Sequence, residues 1–503
     1  MKNILKRLWD DKYTRILLLI LFIALFLRLQ TFAANVNQSY WWDESTYLNT
    51  ARYWAFGEPH WDVEPLRPPL FMFLLTIFFK LGFNETFTRF FVLVIPSVLL
   101  VLITYLLTKE LFDKKTGLIA ATITAVAWDI LFNTTRVHTD VPYTLAIIAA
   151  IYFFYKGYIK EKTAAMYWAG ILFGVAYSIR ETAVTFLPAI LIFILIHERA
   201  NIKKIVTNKT LWKFAIITIL TATPYFIYGQ IQYETPTPWL QGRVTGITQY
   251  EDTPITLSCT MMLQTYVEWF WFIFMIAGTI LLCKYFVVID KIVKGQEKRF
   301  TNEIFITTIF IVTLLLFTFV NKTCAEPRWI MPIAVLGFIV TAYGINYLYE
   351  KIKLLNAYAA IIIVIAILTF GAYQNITHNN ELVSIKQSSF SQLADAGKII
   401  QQDTNKDAII YALTAQAEAQ YLTKRKVKGF HGATEQEFQE QFQKDKPPYV
   451  IVSLYVPIDP NEYWKIVYPF QHPETFTLIK AYQPTVDQEG KIPIVTLFKV
   501  KYE

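Results

Sequence analysis

The sequence predicts an α-helical polytopic membrane protein that ends in a soluble α/β domain, and three observations predict it. Apolar runs near the spanning length of about 20 residues recur from residue 16 to residue 372. Mean hydropathy is +0.35, with 54% hydrophobic and only 17% charged residues. After residue 380 the composition changes, and short strand-like runs alternate with amphipathic helices. These totals exclude an ordinary water-soluble globule. The net charge of +8 raises nucleic acid as a partner, yet the basic residues lie in short clusters between apolar runs. That is the positive-inside pattern of a membrane protein, so nucleic acid is not expected.

The basic start, "MKNILKRLWDDKYTR", precedes an apolar run too long for a signal h-region and without a small-residue cleavage site, so an uncleaved first span is expected. About eleven spans follow from the hydropathy, near 16–34, 88–108, 116–133, 140–156, 163–180, 182–197, 211–229, 263–286, 303–320, 327–349 and 354–372. With the amino terminus cytoplasmic, the loops "TKELFDKKTG", "KGYIKEKT", "HERANIKK", "DKIVKGQEKR" and "YEKIK" all fall on the cytoplasmic side. The run 67–83 is short, and counting it as a span would move every later basic loop outside. It is expected as a juxtamembrane or re-entrant helix within a first external loop, 35–87, started by its proline pair.

The division expected is a membrane domain over 1–379 and an extracytoplasmic α/β domain over 380–503. In that tail, "SSFSQLADAGKIIQQD" and "ATEQEFQEQFQKD" have helical periodicity, while "AIIYA", "YVIVSLY", "TFTLIKAY" and "IPIVTLFKV" are strand-like. Cys259 and Cys324 fall on the outer side, which permits a disulfide between them; Cys283 lies within or near a span.

Candidate functional residues cluster in the outer segments. In "YWWDESTYLNTARYW", Tyr47, Leu48, Ala51, Trp54 and Ala55 form the stripe of an interfacial amphipathic helix, preceded by Asp43 and Glu44. Two readings fit Asp43: a helix N-cap, or a carboxylate facing a polar cleft at the membrane surface. Asp140 in "NTTRVHTDVPYTL" carries the same two readings, and Arg136 and His138 fit either an exposed loop or the cleft. Arg28, Asp129, Arg180 and Glu268 fall toward the outer ends of their spans, whereas a transporter more often places ionisable groups near the midplane. Snorkelling to headgroups competes for the arginines and fits Asp129 and Glu268 less well.

In order, "WWDESTY", "RPPL", "TRFFVLVIP", "HTDVP", "SIRETAVTFLP" and "EPRWIMP" resemble the GT-C glycosyltransferases that use polyprenyl-phosphate sugars, in particular the protein O-mannosyltransferases and the lipid A aminoarabinose transferases. The resemblance covers about residues 15–372. It implies Asp43 as catalytic base, Glu44 supporting it, Asp140 organising the cleft with Arg180, and Arg67 on the donor phosphate, with Arg136, His138 and Arg328 as further substrate-binding residues. Arg67 and Arg180 each stand where a lysine is common. It also implies a divalent metal ion as an optional cofactor: some relatives place an acidic ligand immediately before the basic-Pro-Pro element. Here that position is Leu66, which leaves Glu64 as the nearest carboxylate beside Glu44.

The expected activity is inverting transfer of a sugar from a dolichyl or undecaprenyl phosphate to a hydroxyl on a glycan, lipid or protein. It would take place at the extracytoplasmic face of the plasma membrane, in contact with membrane lipid. Such chemistry needs an ionised carboxylate near the acceptor and cations at the phosphate. A transporter or lipid flippase with an external α/β domain is the alternative, and a binding or assembly protein on the same scaffold a third. The topology has a direct test: single cysteines at Gln38, Gln241 and Gln488 should react with an impermeant thiol reagent in intact cells, and one at Gln296 should not. Labelling at Gln296 without labelling at Gln488 would invert the assignment.

Overall fold

The computed structural model describes residues 11–58, 67–238, 258–284, 300–319, 327–430, 434–455, 460–483 and 493–502. Glu64, Leu66, Cys324, the Cys259 side chain and the labelling positions Gln241, Gln296 and Gln488 lie outside the described residues. Gln38, expected to be accessible, is instead buried, with its side-chain amide donating to Lys386 O. Cys283 is a free thiol.

The membrane region comprises α1 (Lys12–Asn35), α2 (Trp42–Phe56), α3 (Leu70–Lys80), α4 (Glu85–Leu111), α5 (Lys114–Val126), α6 (Trp128–Asn133), α7 (Asp140–Tyr158), α8 (Thr163–Ile179), α9 (Phe186–His197), α10 (Ile202–Val206), α11 (Lys209–Tyr233), α12 (Ser258–Cys283), α13 (Thr301–Phe319), α14 (Met331–Lys353) and α15 (Ala357–Lys386). Short acceptors start several of them: Asp113 accepts from the amides of Lys115 and Thr116, and Asn356 from those of Tyr358 and Ala359. Among the described residues seven helices, α1, α4 and α11 to α15, are long and apolar enough to cross a membrane. The chain is therefore a helical multi-pass membrane protein. The helices over 70–80, 163–179 and 181–197 are apolar but shorter.

Two elements depart from the expected pattern for identifiable reasons. The expected span 116–133 is broken at Ala127, whose ψ of 120° leaves the helix. The break would strand Thr124 O, Ala125 O and the Trp128 amide inside the bundle. Fully buried Arg28 donates to Thr124 O (3.4 Å) and Ala125 O (2.8 Å), and Asn375 accepts from Trp128 N (3.1 Å). Side chains thus replace the lost ladder, the condition for irregular backbone at membrane depth.

The last membrane helix was expected to stop near residue 372, yet α15 runs on to Lys386. Its polar extension is used: Gly371, Asn375, Asn379 and Val383, spaced by four, form a buried stripe. At 30 residues α15 is about 45 Å long, well beyond a hydrocarbon core of about 30 Å.

The tail begins with α16 (Ser391–Asp403), β1 (Ile409–Ala412), α17 (Gln416–Thr423) and β2 (Lys426–Lys428), and continues with α18 (Glu435–Asp445), β3 (Tyr449–Ser453), α19 (Trp464–Gln471), β4 (Phe476–Tyr482) and β5 (Val495–Val500). The sheet order is β2-β1-β3-β5-β4, with β1 parallel to β2 and β3, and β5 antiparallel to β3 and β4. Alternation along the strands builds two cores. Ile410, Ala412 and Ile451 face Leu393 and Ile400 of α16 and Ala419 of α17, while Tyr411, Val450 and Phe476 face Phe438 and Phe442 of α18. The four strand-like runs of the sequence became β1, β3, β4 and β5; β2, α17 and α19 were not anticipated.

Helices α12 and α14 approach closely where Gly278 meets Val340 and Gly344 meets Phe274. A Cβ on Gly278 would lie 2.3 Å from the Val340 carbonyl oxygen, and one on Gly344 would lie 2.5 Å from that of Phe274. Gly278→Val should therefore overpack backbone and cost about 1–3 kcal/mol. Gly337→Ala, whose Cβ would meet only the movable Met275 Sδ at 3.0 Å, should cost less. Thermal unfolding in detergent that ranks the two variants the other way round would contradict this packing.

Candidate active site

Asp43 does not cap α2. The N-cap is Trp41, and Glu44 closes a capping box by accepting from Trp41 N at 2.9 Å. Glu44 is 1% exposed. Its other oxygen, Oε1, accepts from Val137 N at 2.7 Å, while Arg136 donates to Oε2, the oxygen that Trp41 N also reaches, in a tight buried ion pair. Arg136 also donates to Gln38 Oε1 at 2.8 Å and lies 3.9 Å over the Trp41 ring. Glu44 and Arg136, both expected at the reacting centre, instead tie the first turn of α2 to the loop before α7. Arg89 reinforces that loop by donating to Thr135 O at 2.6 Å from the start of a π-helical turn over Phe90–Val94.

With the cap supplied by its neighbour, Asp43 turns to two guanidinium groups. Oδ1 accepts from Arg67 Nη2 at 2.8 Å, and Oδ2 accepts from Arg328 Nη2 at 2.6 Å. Burial alone would raise the Asp43 pKa, but Arg67 and Arg328 outweigh it and hold the carboxyl well below the usual carboxylate range. Arg67 also donates to Tyr47 Oη at 2.8 Å, from a residue one helical turn beyond Asp43.

The Arg328 guanidinium contacts His138 Nδ1 at 2.8 Å and lies 3.8 Å from Asp140 Oδ2. Since arginine can only donate, Nδ1 is an acceptor and the proton sits on Nε2. Burial, with the Arg328 charge second, pushes the His138 pKa well below its usual value and keeps the ring neutral. Asp140 does not cap either, because Thr139 is the N-cap of α7 and the carboxylate instead pairs closely with Arg180. One continuous chain, Arg67, Asp43, Arg328, His138, Asp140 and Arg180, results from segments nearly 300 residues apart in sequence.

Two cavities flank this chain. One of about 430 Å³ is lined by Trp41, Trp42, Asp43, Trp128, Asp129, Phe132, Asn133, His138, Arg328, Leu382 and Lys386. The other is an apolar groove of about 610 Å³ that begins at Val184, just past Arg180, and follows α9 through Leu187, Leu191 and Ile194 to Trp212 of α11.

Sequence reasoning did not find the contribution of the tail. α17 packs on α2: Asn49 Nδ2 donates to Ala417 O at 2.9 Å, and the Tyr40 and Tyr421 rings meet edge to face at 5.0 Å. Tyr421 also donates to Glu85, which pairs with Arg52 at 2.7 Å. Between these contacts Glu418 is 1% exposed, with an Oε2 that has no partner among the described residues. Eight residues of mixed Ala and Gln gave no signal at the sequence level.

Among the described residues no three His, Cys, Asp or Glu side chains are grouped to hold a metal ion. Glu44 does not fit that role, because each of its oxygens is already engaged by a backbone amide and one of them by Arg136. Its expected partner Glu64 is outside the described residues.

Residues 66–228 match the family model described as dolichyl-phosphate-mannose-protein mannosyltransferase. That match spans about a third of the chain. The chain has the fold of the GT-C glycosyltransferases. No curated protein matches the chain in sequence. ArnT from Cupriavidus metallidurans, solved with undecaprenyl phosphate, shares the fold of this chain at a TM-score of 0.63 and 10% identity, with 96% of this chain and 97% of ArnT covered. The oligosaccharyltransferase AglB from Archaeoglobus fulgidus, solved with an inhibitory peptide and a dolichol-phosphate, gives a TM-score of 0.60 at 14% identity over 97% of this chain and 75% of its own. The arabinofuranosyltransferase AftD from Mycobacteria gives 0.52 at 11% identity, covering 97% of this chain and 42% of AftD.

The docking of α17 on α2 carries a pH dependence of known sign. Burial, followed by the nearby Asp43 and Glu44 carboxylates, pushes the Glu418 pKa up to about 8. A raised carboxyl pKa favours the folded state fully only below the unfolded value; the benefit is lost progressively as pH rises through the usual carboxylate range towards 8. Glu418→Gln should match wild-type thermal stability near pH 4.5 and exceed it increasingly up to pH 8. A constant difference across that range would mean that Glu418 does not titrate against this interface.

Proposed function

We propose that the chain is an inverting glycosyltransferase that moves a sugar from a polyprenyl phosphate to an acceptor hydroxyl. The reading includes eleven spans, a cytoplasmic amino terminus, and a site and tail on the extracytoplasmic face of the plasma membrane. The observation that carries it is the half-buried Asp43 carboxylate gripped between Arg67 and Arg328, with an apolar groove that begins at Val184, shortly after Arg180 in the chain. Both solved neighbours described with a bound polyprenyl phosphate share this fold, which supports the donor class.

The chemistry follows from the placement of charge. The donor phosphate lies at Arg67 and Arg180, with its tail along the groove from Val184 to Trp212. Arginine suits this task because its planar fork makes paired hydrogen bonds and stays charged. The acceptor hydroxyl approaches Asp43. Its proton passes to the carboxylate while its oxygen forms the new bond to the anomeric carbon. The bond from that carbon to the phosphate oxygen breaks, and its electron pair leaves on the polyprenyl phosphate, where the cations stabilise the added charge. No step requires a metal ion at Glu44.

Purified protein in nanodiscs, supplied with a panel of polyprenyl-phosphate sugars and hydroxyl acceptors, should release free polyprenyl phosphate and glycosylated product in equal amounts. Asp43→Asn keeps the size and shape of the side chain, so the protein should fold and bind donor while transfer falls by about two or more orders of magnitude. Near-normal transfer by that variant would remove Asp43 from the mechanism; consumption of nucleotide sugars alone would remove the donor class.

A further inference from the structure

We infer that the cavity walled by Trp128 and Trp42 is the acceptor site, and that it takes a sugar ring, so that the acceptor is a glycan hydroxyl and not a protein side chain. The inference rests on the donor phosphate lying at Arg67 and Arg180. Neither residue, nor Tyr47, lines this cavity, although Asp43 does. Asp43 therefore stands between two distinct compartments. Displacement with inversion needs the nucleophile on the opposite side of the anomeric carbon from the leaving phosphate, and the cavity is the compartment that the phosphate ligands do not share.

Its walls identify the class of occupant. A pyranose presents an apolar face of C–H groups and an edge of hydroxyls. Indole planes suit the face, and fixed carboxylate and amide groups suit the edge. Trp128 is held rigidly: its Nε1 donates to Thr265 O at 2.9 Å, and its ring stacks on His378 at 4.3 Å and 9°. His378 is fixed in turn by Glu268 at 2.5 Å, from a residue whose φ of 56° and ψ of 149° interrupt α12. Backbone held in so unfavourable a region clusters at functional sites. Asp129 is 2% exposed, and Asn133 Nδ2 donates to its Oδ1 at 2.8 Å. The buried Tyr266 hydroxyl neighbours the same carboxyl, whose Oδ2 makes no hydrogen bond of good geometry among the described residues. A carboxyl so placed at the cavity wall, beside the proposed base, keeps acceptor capacity for a ligand hydroxyl. An extended peptide would instead bring an amide and a carbonyl at every residue, each needing a partner. The polar groups here are side chains, around about 430 Å³, the scale of a compact ligand.

The full chain in nanodiscs is examined by saturation-transfer NMR with methyl hexopyranosides and with acetylated serine and threonine peptides as probes. The same compounds are then offered as acceptors with polyprenyl-phosphate sugars. The glycosides should show saturable transfer from the protein and should be glycosylated. Asp129→Asn, which keeps an oxygen for Asn133, should raise the glycoside KM roughly ten-fold or more, with donor KM within about two-fold. Trp42→Ala, at a half-buried residue, should do the same. Glycosylation of peptides alone, or an unchanged glycoside KM in both variants, overturns the acceptor assignment and leaves the glycosyltransferase reading intact. If no donor is cleaved with any acceptor or with water, that reading fails instead. The binding experiment then decides the cavity by itself: glycoside saturation weakened in both variants supports the assignment, and its absence overturns it.

Discussion

The buried ion pair between Glu44 and Arg136 ties the first turn of α2 to the loop before α7, and the geometry of the site depends on it. Two charges removed from water are stabilising only if their remaining hydrogen-bonding capacity is met. Here Trp41 N, Val137 N, Gln38 and the Trp41 ring meet most of it. The pair therefore does more than neutralise itself. By taking over the capping of α2, Glu44 leaves the adjacent Asp43 without a local backbone partner, so the carboxylate turns toward Arg67 and Arg328. Loss of either member would leave an unpaired buried charge and release the loop that carries His138 and Asp140.

The same logic governs the interrupted helix that forms the wall of the cavity. An unbroken α5 and α6 would place Trp128 and Asp129 on a different helical phase. The bend at Ala127 is tolerated because Arg28 and Asn375 take up the backbone groups it frees. Asn375 belongs to α15, so the extension of that helix beyond the hydrocarbon core and the shape of the cavity have one cause. Arg28 also donates to Ser97 at 2.6 Å, and Thr134 donates to the same hydroxyl at 2.8 Å. One intramembrane arginine thus connects α1, α4, the break and the loop of the site.

Much of this was legible in the sequence, and the parts that were not share a physical reason. Hydropathy located the apolar helices, since burial in lipid imposes composition over many residues. Asp43, Arg67, His138, Asp140, Arg180 and Arg328 were singled out, and the fold brings their side chains into one chain of contacts. Glu44 and Asp43 were indistinguishable as neighbours in a motif, because which carboxylate caps a helix depends on what waits on the other side. The break at Ala127, the length of α15 and the docking of α17 are all set by contacts with segments hundreds of residues away. Periodicity reports only on local burial, and a polar stripe such as Asn375 and Asn379 looks like a loop until its partners are known.

On the proposed reading, the grip on Asp43 also reconciles two demands that conflict in a static picture. A carboxylate whose proton affinity is lowered this far by Arg67 and Arg328 is well ionised but weakly basic. A donor phosphodiester arriving at Arg67 offers that guanidinium a second anionic partner, and Asp43 then shares its electrostatic stabilisation. Its basicity rises as the donor binds and the acceptor is needed. Before that moment the arginines keep the base masked. The ion pairs that close the site at rest are therefore the same ones whose rearrangement would prepare it for transfer.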